Sequence, residues 1–199
     1  MKQNSIHPNQ TTPPSLLVRI RNHHDDGAWD TFCDVYSPLL YDYCRKRGVQ
    51  SSDAADVVQE TLLRVAKGIL KFEYDRTKGR FRDWLYTILQ NEIRRMVGRR
   101  KPTLELTPLA GEGAEQGRLW NDHFYESILV SALERIRPRF GTDTWEAFTR
   151  VWQKDVAACE VAKLMDRSID FVYLSKSRVL KRLRLEIEEL ADDAGLSHG

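Results

Sequence analysis

The 199-residue sequence is poor in the features that mark secreted, membrane-bound or metal-dependent proteins. Its three cysteines, Cys33, Cys44 and Cys159, are an odd number without CxxC spacing, which argues against a disulfide framework. Five histidines form no metal-ligand pattern. The adjacent His23 and His24 would point about 100° apart on a helix, so no metal is expected. No apolar run approaches the roughly 20 residues that span a bilayer. The start, MKQNSIHP, lacks the apolar core of a signal peptide. A cytoplasmic protein without membrane insertion is the expectation. A glycine-rich phosphate loop is also missing, no cofactor is expected, and no strand-like alternation stands out.

What is present is enough apolar content for a sizeable core, at 41% hydrophobic residues, and a segregated charge. The net charge is only +2, yet 76–101 holds nine basic residues against Asp83 and Glu92, a net of +7. A second stretch, 163–184, holds seven against Asp166 and Asp170, a net of +5, which leaves the rest of the chain at −10. Two separated basic patches on an otherwise acidic chain suggest two contacts along one polyanion. Ordinary solvated helix faces would intersperse both signs.

Apolar residues recur at three- and four-residue spacing through most of the chain, so the predicted fold is all-α, as two small helical domains joined by a flexible linker. Residues 1–14 read as a disordered tail and 15–101 as the first domain. The linker is 102–121, with Pro102, Pro108, Gly111, Gly113 and Gly117. The second domain is 122–190, and 191–199 is a tail. Within the first domain Asp26 is a candidate helix cap, and Pro38 predicts a kink or a fresh helix start. Helices are predicted at about 81–98, 122–136, 142–153, 156–165 and 168–190. The 165–168 junction has the length of a helix-turn-helix turn.

Asp53, Asp56 and Glu60 fall at i, i+3 and i+7, away from the apolar stripe of Ala54, Val57, Val58, Leu62 and Val65, with Gln59 beside them. Catalytic carboxylates would need an enclosing pocket to shift their pKa values, and nothing in the pattern implies one. A docking face for a basic partner fits better, and the chain is not expected to be an enzyme. The next helix carries a stripe of Thr87, Asn91, Arg94 and Gly98, flanked by Gln90 and Arg95 and with Arg99 and Arg100 at its end, after a loop with Tyr74, Arg76, Lys78 and Arg80. Arginines with an amide suit phosphate contacts plus some base recognition, and a basic aromatic loop suits capture of an unstacked base. Phe81 and Trp84 read as core. On the last helix, Ser168 is a candidate N-cap. The polar face there comprises Asp170, Tyr173, Leu174, Ser177, Arg178, Lys181 and Arg182, opposite Ile169, Val172, Val179, Leu183 and Ile187. In a helix-turn-helix this second helix enters the major groove.

These residues carry a resemblance. DAADVVQETL at 53–62 resembles region 2.2 of the bacterial extracytoplasmic-function sigma factors of the sigma-70 family, and FRDWLYTILQN at 81–91 resembles their region 2.3/2.4 signature. The segment from Trp145 to Arg184 resembles region 4. The resemblance implies that Asp53, Asp56, Gln59 and Glu60 dock on the β′ clamp helices of core RNA polymerase, with the β flap as a second polymerase contact. It implies −10 melting by the loop and third helix, and −35 reading by the last helix. Promoter DNA is then the nucleic-acid partner, and an anti-sigma factor is a further candidate partner. Asp166 stands where a glycine is common in the region 4 turn, and Asp170 and Leu174 are unusual on the reading face. A helix-turn-helix regulator with an N-terminal interaction domain would account for 156–187, but it gives the acidic helix and the first basic patch no role.

Overall fold

The first helices are set by their ends. In this computed structural model, which describes residues 15–22, 24–72, 81–99 and 113–191, a short α1 (Leu16–Arg19) leads into α2 (Asp26–Lys46). Asp25, one residue before the expected cap, accepts from the Ala28 amide at 2.9 Å. Its carboxylate also takes both arms of Arg19, at 3.0 and 3.1 Å. At the far end Gly48 has φ 79°, and the Gly48 and Val49 amides bond back to the Arg45 and Cys44 carbonyls. This is a Schellman stop, which needs the left-handed residue that glycine supplies cheaply.

Pro38 does not start a new helix; it lies inside α2. Pro38 and Asp34 are both exposed, so the Asp34 carbonyl that loses its partner sits on the side where water can replace the bond.

Helix α3 (Ser51–Gly68) buries Ala54, Val57, Val58, Thr61 and Val65. It packs against α2 and α4 (Phe81–Arg99). A Cβ on Gly68 would fall 2.8 Å from Cζ2 of Trp84, so the glycine is what allows α3 to approach that ring. Around the ring lies an aromatic cluster. Phe32 stacks on Tyr36 at 4.3 Å, Phe81 meets both edge-on, and Phe72 lies 4.8 Å from Trp84. Burial of Phe81 and partial burial of Trp84 agree with their reading as core.

Helix α5 (Gly113–Ile136) begins inside the segment read as a linker, so the linker's C-terminal bound moves back; 102–112 lie outside the described residues, as does 1–14. The cause is tertiary. Trp120 is buried between Tyr43 and Tyr86, and its indole N–H donates to the Arg82 carbonyl at 3.2 Å. His123 joins the Leu39 carbonyl and Lys46 Nζ, each at 3.0 Å. Burying such an anchor outweighs the poor helix propensity of the glycines before it.

A 3-10 turn (Arg137–Arg139), α6 (Thr142–Phe148), a π-helical turn (Thr149–Gln153), α7 (Ala158–Leu164) and α8 (Ile169–Ala191) follow. The predicted 142–153 helix thus splits where the backbone widens to π geometry, and α7 is shorter than 156–165. Ala147, Val161, Ala162 and Val172 form a small core under α6–α8. The larger core runs continuously from Leu16 to Ala191, because α5 and α8 pack on each other and on α2 and α1. The architecture is all-α, with no strand among the described residues.

Candidate functional site

Three surfaces carry the sequence-predicted residues. On α3 the apolar stripe turns inward, which leaves Asp56, Gln59 and Glu60 exposed on the opposite side. Asp53 departs from this group: it is only 8% exposed. It stands in the i, i+4 row with Val57, Thr61 and Val65, and that row is the buried one. Leu63, 46% exposed, falls in line with Asp56 and Glu60 instead. The sequence signal for it was an apolar residue in a polar row.

On α4, Thr87, Asn91, Arg94 and Gly98 form an exposed stripe. Arg95 is also exposed, but it is held by Glu92 at 2.6 Å, and the same buried carboxylate lies 3.4 Å from Arg64 of α3. Glu92 therefore ties the basic helix to the acidic one. Gln90, expected beside the stripe, is buried and donates to the Tyr43 hydroxyl at 3.3 Å. Burial, with a Tyr86 hydrogen bond, pushes the Tyr43 phenol far above its usual range. Arg99 ends α4, and its side chain lies outside the described residues, as do Tyr74, Arg76, Lys78 and Arg80.

On α8, Ser168 caps the helix by accepting from the Phe171 amide at 3.1 Å. The preceding turn is closed by Asp166 at φ 51°, with the Asp166 and Arg167 amides bonded to the Lys163 and Ala162 carbonyls. Aspartate here adopts the left-handed backbone that a glycine would take, and the α7–α8 angle is set by that Schellman motif. Asp170, Tyr173, Leu174, Ser177, Arg178 and Lys181 are all exposed. Arg182 is not on that face. It turns to Glu186 at 2.6 Å, and Glu186, 1% exposed, also takes Arg135 at 2.8 Å. A buried carboxylate draws in any cation within reach, so Arg135 fastens α5 to α8 through Glu186 while Arg182 serves the same carboxylate from one turn away on α8. Ile169, expected in the apolar stripe, is 42% exposed.

Burial pushes the Cys44 thiol up to about 12, which keeps it from acting as a thiolate. Among the described residues no three His, Cys, Asp or Glu side chains converge to hold a metal, and no helix is long and apolar enough to cross a membrane.

The sequence of α3 and α4 falls within a known module. Residues 33–103 match Sigma-70 region 2. The match supports a sigma-70 family member, and with it polymerase binding and promoter melting in general. It takes in most of α2, all of α3 and α4, and the 73–80 segment, and it stops before α5. None of the curated proteins matches the chain.

Proposed function

We infer that the chain is a promoter-recognition subunit of bacterial RNA polymerase, of the extracytoplasmic-function type, acting by binding and not as an enzyme. The observation that carries this is the opposed surface chemistry of two adjoining helices inside a Sigma-70 region 2 match: acidic and exposed on α3, basic and amide-bearing on α4. Asp56, Gln59 and Glu60, with Leu63 beside them, form the dock for the β′ clamp helices. Asp53 contributes from beneath by shaping the first turn.

Asn91 and Arg94 contact the unpaired non-template strand, with Tyr74, Arg76, Lys78 and Arg80 of the loop. Extruding a base costs roughly a few kcal/mol. Base–aromatic stacking at about 1–3 kcal/mol per base, plus phosphate contacts, offsets that. The α7–α8 pair is a helix-turn-helix that holds the −35 duplex through Tyr173, Ser177, Arg178 and Lys181. Two weak contacts on one DNA reinforce each other through effective concentration. The protein works in the cytoplasm, where polymerase and promoters are.

Pull-down with core polymerase tests the dock. Wild type is expected to bind, and Asp56→Ala/Glu60→Ala to bind at least tenfold more weakly, a loss of about 1.4 kcal/mol. Equal binding by the two proteins across a range of salt would refute the assignment of α3.

A further inference from the structure

The first turns of α8 present apolar side chains where a phosphate-binding helix has no use for them. Tyr173 is 56% exposed and Leu174 54%. The helix buries Val172, Ser175, Val179 and Leu183 on its other side, so neither residue serves the core. Charge frames them: Asp170 and Arg178 lie one turn before and one turn after Leu174, and Ser177 and Lys181 follow Tyr173 at the same spacing. The surrounding segment 163–184 is net +5, which selects a polyanion as the occupant over an apolar protein face or a second copy of this equally basic surface.

We propose that Leu174 is a specificity-determining residue that packs against the C5-methyl group of a thymine in the major groove, with the Tyr173 ring closing one side of the contact. This rests on the DNA-binding reading of α8 above. The chemistry follows from what base edges offer. The thymine methyl is the apolar group at a major-groove edge, and aliphatic or aromatic side chains are what contact it. Leucine has no donor or acceptor and cannot read any other feature there. Ser168 and the Asp166 turn fix the start of α8, so residues 169–178 occupy the N-terminal half that enters the groove. Asp170 accepts hydrogen bonds and donates none, which disfavours phosphate beside Leu174 and leaves base edges as its neighbours.

The test begins with a randomised duplex library selected by the full chain in complex with core polymerase. The selected duplex is then remade with each thymine of the −35 segment replaced by deoxyuridine, which removes only the methyl group. Wild type should lose roughly fourfold in affinity at one position, the equivalent of exposing one methyl. Leu174→Ala should bind thymine and deoxyuridine duplexes alike, and Leu174→Met should restore most of the discrimination. Deoxyuridine without effect at every position, or the same effect in Leu174→Ala, overturns the inference while leaving DNA binding intact. Weaker polymerase pull-down by Leu174→Ala with unchanged thymine discrimination overturns it in favour of a protein contact. Failure of the library to yield any preferred −35 duplex overturns the DNA-binding reading of α8, and this inference with it.

Discussion

The Tyr36 hydroxyl donates to the Leu190 carbonyl oxygen at 2.9 Å, joining the second helix to the last turn of the eighth across 154 positions of sequence. Leu190 and Ala191 are buried there, in the same core as Leu16, Leu17 and Ile20. The two sides of the predicted linker therefore share packing. Tyr36→Phe should lower stability by about 1–1.5 kcal/mol, because the ring still packs but a buried carbonyl loses its donor. Urea unfolding checks this: the midpoint should fall with an unchanged slope.

Gly68→Ala is expected to cost about 1–3 kcal/mol, since the added methyl meets the Trp84 ring, which Phe72 and Phe81 hold in place. The same change also reads out in function if α3 and α4 act as one unit. Thermal unfolding should drop, and replacing Trp84 with Leu in the Gly68→Ala background should recover part of the loss.

Arg178 and Arg182 are one turn apart and should behave differently. Arg178→Ala should weaken duplex −35 binding by the assembled polymerase while leaving the melting temperature and single-stranded −10 binding unchanged. Arg182→Ala should cost about 1–3 kcal/mol of stability, because buried Glu186 keeps only Arg135. Equal loss of both DNA contacts in Arg178→Ala would contradict the division of labour between the two basic patches.

Asp25 makes stability pH-dependent in a known direction. The Arg19 hydrogen bonds, with the Ala28 amide, hold its carboxyl below the usual range. A lowered native pKa means the contribution is fully present above the unfolded value of about 3.9 and is lost as the pH falls through the native value. Asp25→Asn keeps a capping oxygen without the charge. Wild type should be the more stable of the two at about pH 6, and the difference should shrink as the pH falls below the unfolded value of about 3.9 in denaturant titrations. A constant difference over that range would remove the ionic role of Asp25.

The α3 stripe was readable in the sequence because its buried and exposed rows differ in chemistry at nearly every turn. Asp53 was misassigned because spacing alone puts it with Asp56 and Glu60, and only packing reveals that its row runs through Val57 and Thr61. The start of α5 was hidden for a related reason: GEGAEQG is a weak helix former, and the burial that organises it comes from Tyr43 and Tyr86, 30 or more positions away. Buried Glu92 and Glu186 gave no sequence signal, since a carboxylate's neutralising arginine can come from another helix. The α7–α8 junction was legible because it is local: a seven-residue helix, a left-handed residue and a serine cap.

The function proposed for this chain is to direct polymerase to promoters of its own. Core polymerase is supplied with genomic DNA from the source organism, with or without the full chain, and the 5′ ends of the transcripts are sequenced. A set of starts should appear only with the chain, share two upstream elements at promoter spacing, and be lost with Asp56→Ala/Glu60→Ala. The same distribution of starts with and without the chain would contradict that function.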